Sequence, residues 1–533
     1  MCKEAIMYDP SDLSGEKQSS SHETDSKDLS GQEVSPHSAS ANQFSLRTLL
    51  PSARFLTEND ISFHSVSESA QSSQPGQLAI YRIGEDCPSQ IIADATARGA
   101  AGILTEQILP SPIPQCVVGD LEVALASITA QIKDRPDRKL LNIGVIGSAG
   151  KTTSTLIIAS LLRSSGIRTA YWNDLGECDG IVQSTPKEQV ASGAPLVNWL
   201  SDAVDNHCTA SVVEISEELA RHGKYDCMQF DMIVVTGSAT GSNDFGPLGI
   251  QCAMECLTAN GVVIAPADDQ RALRAVRETG ARMVTYGVRK AADITTKLIE
   301  QSDGLTTLIL SHRDTTAVME TTLCGAAMAA NHAAAAMVGL LLDQSLPEIA
   351  ERLGELAVIP GRGQRLSEPG QPTAVLETGG TVDRITQSLR THRSMKGQGR
   401  MWCIFAISDH LNAEDLAEVG GRLERFSDRS IVTATPASKT KFLSRSHEVL
   451  DGVKQCAAFR LVADRSRALD WVLQEASRDD TVVIFTNEAN QTAHDQRSDL
   501  RKLRRAVEQH WQSRKRRGMI QTTKSSPNLK IFG

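Results

Sequence analysis

Apolar residues along this chain fall in short runs that alternate with longer amphipathic stretches. Residues 77–83 (QLAIYRI) read as a strand, 89–100 (SQIIADATARGA) as an amphipathic helix and 101–106 (AGILTE) as the next strand. QCVVGD at 115–120 leads into the helical pattern of 121–132, and the polar, Pro-containing KDRPDR at 133–138 is a linker. A second block opens with the apolar strand 140–147 (LLNIGVIG), a glycine turn and the helix 153–166. Strands SVVEIS (211–216), DMIVVTG (231–237) and GVVIAP (261–266) follow, then an alanine-rich helix at 328–343 and a loop, VIPGRGQR, at 358–365. A third block repeats the alternation through 401–407, 429–435, 459–464 and 481–487. Strand–helix alternation of this kind predicts α/β layers.

Length and composition set the frame for that pattern. The 533 residues suggest three or four domains. The expected division is a Ser-rich disordered tail (1–44), an N-terminal α/β domain (45–137), a central domain (138–358), a C-terminal Rossmann-like domain (359–512) and a basic flexible tail (513–533). Lys plus Arg is 55 against 64 Asp plus Glu, a balance of −9 that argues against a general nucleic-acid binder. The basic run at the far end reads as a solvated helix face rather than a patch for nucleic acid or anionic lipid. No apolar run approaches the roughly 18–20 residues of a membrane span, and the first residues lack the apolar core of a signal peptide. The 11 cysteines include no CxxC pair, which predicts a reduced, cytoplasmic protein rather than a disulfide scaffold or a zinc site.

The sharpest chemistry sits at residues 144–153, GVIGSAGKTT. It follows an apolar strand and opens a helix, where backbone N–H groups and the helix N-terminus favour a phosphate. Gly147, Ser148, Ala149, Gly150, Lys151, Thr152 and Thr153 are the expected nucleotide cradle. Lys151 would neutralise the β and γ phosphates, and the Thr152 hydroxyl would ligate Mg²⁺. The strict GxxxxGK[ST] spacing fails, because Val145 stands where the first glycine belongs. Glu214 ends the strand VVEIS, at the edge where an open α/β sheet presents ligands, and is the expected partner of Thr152 at the metal.

Taken in order, these residues resemble the Mur ligase family, ATP-dependent amide ligases of peptidoglycan precursor synthesis. The loop at 144–153 has the family's GxxGxxGKTT form; Ser184-Thr185-Pro186 resembles TTP, and Glu214-Ile215-Ser216 resembles ExSS. Asp268-Asp269 matches a late DD pair, Gly325 and Asn331 fit the adenine-side GxxNxxN helix, Pro360-Gly361-Arg362 fits the PGR turn, and Asp464-Arg465 resembles DRxxAI. Pro75-Gly76 with the stretch 99–106 is similar to the nucleotide-substrate region of the ligase that adds the third peptide residue. The resemblance runs from about 45 to about 510. It implies a three-domain α/β architecture: a UDP-substrate domain, a central P-loop ATPase domain and a Rossmann-like ligase domain. It also implies ATP and Mg²⁺ as cofactors, Lys151 and Glu214 as catalytic groups, Asn331 and Arg362 at ATP, and Ser67, Thr185 and Ser216 on the substrate side. The implied partners are a UDP-linked muramoyl peptide or a similar carboxylate, an amino acid, and other cell-wall ligases, with neither nucleic acid nor membrane insertion.

The pattern also breaks. The family's second metal uses the histidine of DHLD and a nearby carbamylated lysine. The corresponding segments here put Ser242 and Met254 at those places, with no lysine between Lys224 and Lys290. Gly237 stands for a usual asparagine, and Ala149 for the P-loop asparagine. DYAHNP is replaced by the stretch from Glu377 to Asp383, DNPR by residues 434–437, GKGHE by 485–489, and the uridine-side arginine is lost at Ser69. Three functions are therefore expected to compete. They are an amide ligase of the muramoyl-peptide type, a catalytically degenerate nucleotide-binding relative with a regulatory or scaffolding role, and a plain P-loop ATPase or kinase. The last leaves the first and third domains unexplained.

Overall fold

The computed structural model describes residues 43–67, 73–185, 191–238, 245–302, 304–395, 397–407, 411–435, 438–486 and 493–524. Nearly all of the tail expected over 1–44 lies outside them, as do Ser69, Pro186, Ser242 and the end of the basic tail. The chain divides into two compact units at Ile132/Lys133.

In the first unit, strands Leu78–Ile80, Gly102–Thr105 and Gln115–Val117 run parallel, and Arg54–Phe55 pairs antiparallel on the outer edge. Successive side chains on a strand face opposite ways, so Leu78, Ile80 and Leu104 pack with Leu121, Leu125 and Ile128 of the helix Leu121–Ile132. Ala79 and Ile103 face the other way, onto Ile91 and Ala95 of the helix Pro88–Ala97. The unit is a small two-faced α/β layer, as the alternation predicts.

The second unit holds two sheets. The larger is built from β1 (Leu141–Ile146), β2 (Thr169–Asn173), β3 (Gly176–Cys178), β4 (Gln183–Ser184), β5 (Ala210–Glu214), β6 (Phe230–Val235), β7 (Leu257–Pro266), β8 (Met283–Gly287), β9 (Ile294–Ser302), β10 (Leu305–His312) and β11 (Thr315–Thr321). Its order is β4-β3-β2-β5-β1-β6-β7-β8-β9-β10-β11, parallel from β2 to β9 and antiparallel at both ends. One face packs on α1 (Lys151–Ser164) and α6 (Ala326–Leu341), the other on α2 (Gly193–Asp205), α4 (Phe245–Glu255) and α5 (Gln270–Glu278); α3 (Glu217–Arg221) is a single turn after β5. The alanines of α6 are small enough to let it lie close on α1 and the sheet, and Ala333 to Ala336 are fully buried.

The second sheet has the order β12-β13-β17-β14-β15-β16, from β12 (Gln364–Leu366), β13 (Thr373–Thr378), β14 (Met401–Ala406), β15 (Arg429–Thr433), β16 (Phe459–Leu461) and β17 (Thr481–Thr486). Only β12 is antiparallel. Ile385 and Leu389 of α8 (Val382–Met395) pack on one face beside α9 (Ala413–Phe426) and α10 (Phe442–Asp451). On the other face lie α11 (Arg465–Glu475) and α12 (Ala493–Lys524). The short helix α7 (Leu346–Leu353) precedes the crossing from one sheet to the next.

Some elements differ from the sequence reading. The strands Thr169–Asn173 and Thr373–Thr378 and the antiparallel extension β9 to β11 carry no strong apolar run, since threonines and charges interrupt them. The basic stretch expected as a flexible tail from 513 continues the helix α12 to Lys524. Its Arg, Lys and Gln are good helix formers, and Leu503, Val507 and Trp511 anchor the preceding turns in the core.

Candidate active site

The phosphate loop leaves β1 at the centre of the larger sheet, between β5 and β6, where strand order reverses and a crevice opens at the carboxyl edge. Its glycines each answer a local demand. A side chain at Gly144 would strike Ile215 and Phe230, which fill that face of the sheet. Gly147 has φ +141° and lies against Thr236 and the Gly237 backbone, and Gly150 has φ +91° as the residue before α1. The Ser148 N–H donates to Gly237 O at 3.2 Å, which fixes the loop beside β6. Glycine at 237, with φ +140°, allows that approach.

Lys151 curls over its own loop, Nζ donating to Gly147 O at 2.8 Å and lying 3.5 Å from Glu217. Burial pulls its ammonium toward neutrality, but Glu217, Glu214 and Asp174 together hold it above the ordinary lysine range. Glu214 is only 3% exposed. Burial first, and then the charge of Asp174, push its carboxyl well above the usual range, against Lys151, the Asp174 N–H and the Thr152 hydroxyl. The Thr152 hydroxyl thus meets Glu214, while the Asp174 N–H donates to Glu214 Oε2 at 3.2 Å. Two carboxylates and a hydroxyl crowded this way are hard oxygen donors with more negative charge than Lys151 balances, a set that fits Mg²⁺.

The second sheet closes the cleft. Gly361 (φ +66°) turns the chain so that its carbonyl accepts from Thr378 N at 2.8 Å and Thr378 Oγ1 at 3.0 Å. That turn directs Arg362, 6% exposed, onto the phosphate loop, with Nη2 donating to Thr152 Oγ1 at 3.4 Å. The cleft, about 110 Å³ and open to solvent, is lined by residues 148–153, Asp174, Glu214, Met328, Asn331 and Arg362 from this set. From the C-terminal sheet it adds Glu377 and one side of α8.

Lys151, Thr152, Glu214, Asn331 and Arg362 therefore come together in one place, with Gly147 beneath the loop. The other candidates do not all join them. Ser216 caps α3, its Oγ accepting from Leu219 N, and its N–H donates to Tyr225. Thr185 follows the edge strand β4, at the far side of the sheet from β6, and Ser67 is buried in the first unit, its N–H on Leu78 O. Asp268 and Asp269 are taken up in loop and cap hydrogen bonds: Asp268 accepts from Val288 and Lys290 N–H, Asp269 from Ser238, Arg271 and Ala272 N–H. Asp464 caps α11. Met254 lies in the core at 6% exposure, and His332, within α6, is fully buried.

Sequence reasoning missed Asp174, Glu217, Arg384 and the Glu377–His392 pair. Asp174 ends the strand YWN as Glu214 ends VVE, so the same strand-end argument would have found it. His392 offers no such signal, being one polar residue on an amphipathic helix.

Comparison with known proteins bears on this arrangement. Residues 254–339 match the Mur ligase middle domain, and residues 361–487 match the Mur ligase glutamate ligase domain. Both matches support the resemblance of this chain to the Mur ligase family. The chain is 26% identical over 411 residues to the UDP-N-acetylmuramoyl-L-alanyl-D-glutamate–2,6-diaminopimelate ligase of Geobacillus kaustophilus, covering 73% of this chain and 82% of that protein. A solved structure of a ligase of that same name superposes with a TM-score of 0.61 at 18% identity, covering 87% of this chain and 99% of that one. The MurF ligase of Thermotoga maritima, solved in complex with ADP, gives 0.59 at 16% identity, covering 84% and 98%. These structures show that the fold is the multi-domain α/β architecture of Mur ligases. Met254, expected from the sequence at the place of the family's carbamylated lysine, is a buried side chain.

Proposed function

We propose that this chain is an ATP-dependent amide ligase of the Mur ligase family. It would transfer the γ-phosphoryl group of ATP to a UDP-N-acetylmuramoyl-peptide-like carboxylate, releasing ADP. An amino-acid amine would then attack the acyl phosphate, forming the amide and expelling phosphate. The observation that carries this reading is the convergence of Lys151, Thr152, Glu214 and Arg362 on one cleft. Gly147, Ser148, Ala149, Gly150 and Thr153 would hold the phosphate chain, and Asn331 the base. Thr152 and Glu214 would hold Mg²⁺, which when bound offsets phosphate charge. Lys151 is kept charged by its three carboxylate neighbours and would place that charge on the phosphates; Arg362 would close on them from the C-terminal sheet. Ser67 and Thr185 stand as proposed contacts to the nucleotide-linked substrate, with Ser216 acting through its cap on α3.

A second reading, a nucleotide-binding relative without turnover, is favoured by one observation. Met254 is a core side chain, so that position cannot supply a carbamylated lysine. ADP formation by purified protein with Mg-ATP separates the two, measured with and without a UDP-N-acetylmuramoyl dipeptide and a mixture of amino acids, beside a Lys151→Ala blank. ADP release that needs both co-substrates and is lost in the blank supports the ligase. ATP binding without substrate-dependent turnover would replace it with the second reading.

A further inference from the structure

Helix α8 turns a polar stripe to the cleft. Arg384, Ser388 and His392, each four residues on from the last, line it together with Met395. The opposite side of the helix, Ile385 and Leu389, is buried in the domain core, so the stripe is held in place.

The cleft changes character along this helix. Arg384, on the first turn, donates to Thr378, whose hydroxyl binds the carbonyl just before Arg362. Near the last turns the neighbours are different. Thr391 abuts Gly325 at the start of α6, and Cys324, Ala327, Met328 and Met395 line the cleft with Arg365, which lies near Cys324. A phosphate chain belongs with the cationic end, and an uncharged nucleoside with apolar and sulfur-bearing walls.

His392 follows Thr391 on this helix and lies beside Gly363, between the two regions. It is 3% exposed, and its Nε2 lies 2.7 Å from Glu377 Oε1. The carboxylate accepts, so Nε2 is the nitrogen that donates, and in that tautomer Nδ1 has a lone pair to offer. That Nδ1 is buried without a hydrogen-bond partner, and so is Ser388 Oγ one turn earlier. Buried acceptors are ordinarily paired, so an unpaired one on a side chain that lines a cleft calls for a partner that the protein itself does not supply.

We infer that His392, oriented by Glu377, is a nucleoside-recognition residue whose Nδ1 accepts a hydrogen bond from a donor on the bound nucleotide. The inference rests on the nucleotide binding proposed above. Two parts of a purine nucleotide carry such donors, the ribose hydroxyls and the exocyclic amine.

The test is isothermal titration of the full chain with Mg-ATP, 2′-deoxyATP, 3′-deoxyATP and inosine triphosphate, for wild type, His392→Ala and Glu377→Gln, with folding checked by circular dichroism. One analogue, the one lacking the engaged donor, is expected to bind wild type about tenfold more weakly than ATP. A deoxy analogue in that place identifies the ribose, and inosine triphosphate the amine. His392→Ala should lose about tenfold for ATP and erase that gap, leaving the other analogues in their wild-type order. Glu377→Gln, which keeps the volume and an acceptor oxygen, should narrow the gap without abolishing binding, and it decides the matter if His392→Ala does not fold. Equal affinities for all four nucleotides in wild type would overturn the inference while leaving ATP binding intact. So would a gap that survives in the folded variants. Absence of any ATP binding by wild type would overturn both the inference and the proposed function.

Discussion

Arg362, in the turn that leads into the C-terminal sheet, donates through Nη2 to Oγ1 of Thr152 in the phosphate loop, 3.4 Å away. The two residues are far apart in sequence and come from different sheets, yet both are buried in the same cleft. Arg362→Ala should weaken ATP binding at least about tenfold, since a charge-assisted contact to phosphate is worth roughly 1.5–3 kcal/mol. Arg362→Lys should recover only part of it, because an ammonium cannot reproduce the planar fork. Titration calorimetry with Mg-ATP checks both, and full recovery by lysine would mean that only charge matters there.

Glu214→Gln removes a charge and keeps the shape beside Thr152. Wild-type protein should bind ATP more tightly as Mg²⁺ is added, and the variant should lose most of that gain, about tenfold or more. ATP titrations at stepped Mg²⁺ concentrations measure it. An unchanged Mg²⁺ response would take Glu214 out of the metal site.

Met254 sits in the apolar layer with Ile250 and Ala253. Met254→Lys would bury an ammonium there and should cost about 3 kcal/mol or more of stability. Thermal unfolding is the readout. A stable variant whose turnover rises, alone or with Ser242→His, would show instead that position 254 can reach the cleft.

His332 is fully buried in α6, Nδ1 donating to Met328 O at 2.7 Å, and burial pushes its pKa down to about 4 from 6.5. The unfolded chain therefore binds this proton first. The stabilisation is complete above about pH 6.5 and is lost as pH falls from there through about 4, amounting to roughly 3 kcal/mol. Urea unfolding between pH 7 and 4 should show this slope, and His332→Leu should flatten it.

The α/β layers and the phosphate loop were legible in the sequence. Strands such as VVEIS and DMIVVTG are continuous apolar runs because parallel strands are buried on both faces, and that pattern is local. The phosphate loop is also local, since its glycines, lysine and threonines are consecutive and bind through their own backbone. The strands with threonines and charges, Thr169–Asn173 and the antiparallel extension, were hidden because their burial is imposed by neighbouring strands. Which motif residues meet depends on how the sheets and helices pack. That packing placed Thr152 against Glu214 and Arg362, and it spent Asp268, Asp269 and Ser216 on caps and loop hydrogen bonds. Glu377 and His392 pair only because helix α8 folds back over β13, and Met254 is a core residue only because α4 packs its face inward. Contacts of that kind depend on how elements pack, which no short stretch of sequence specifies.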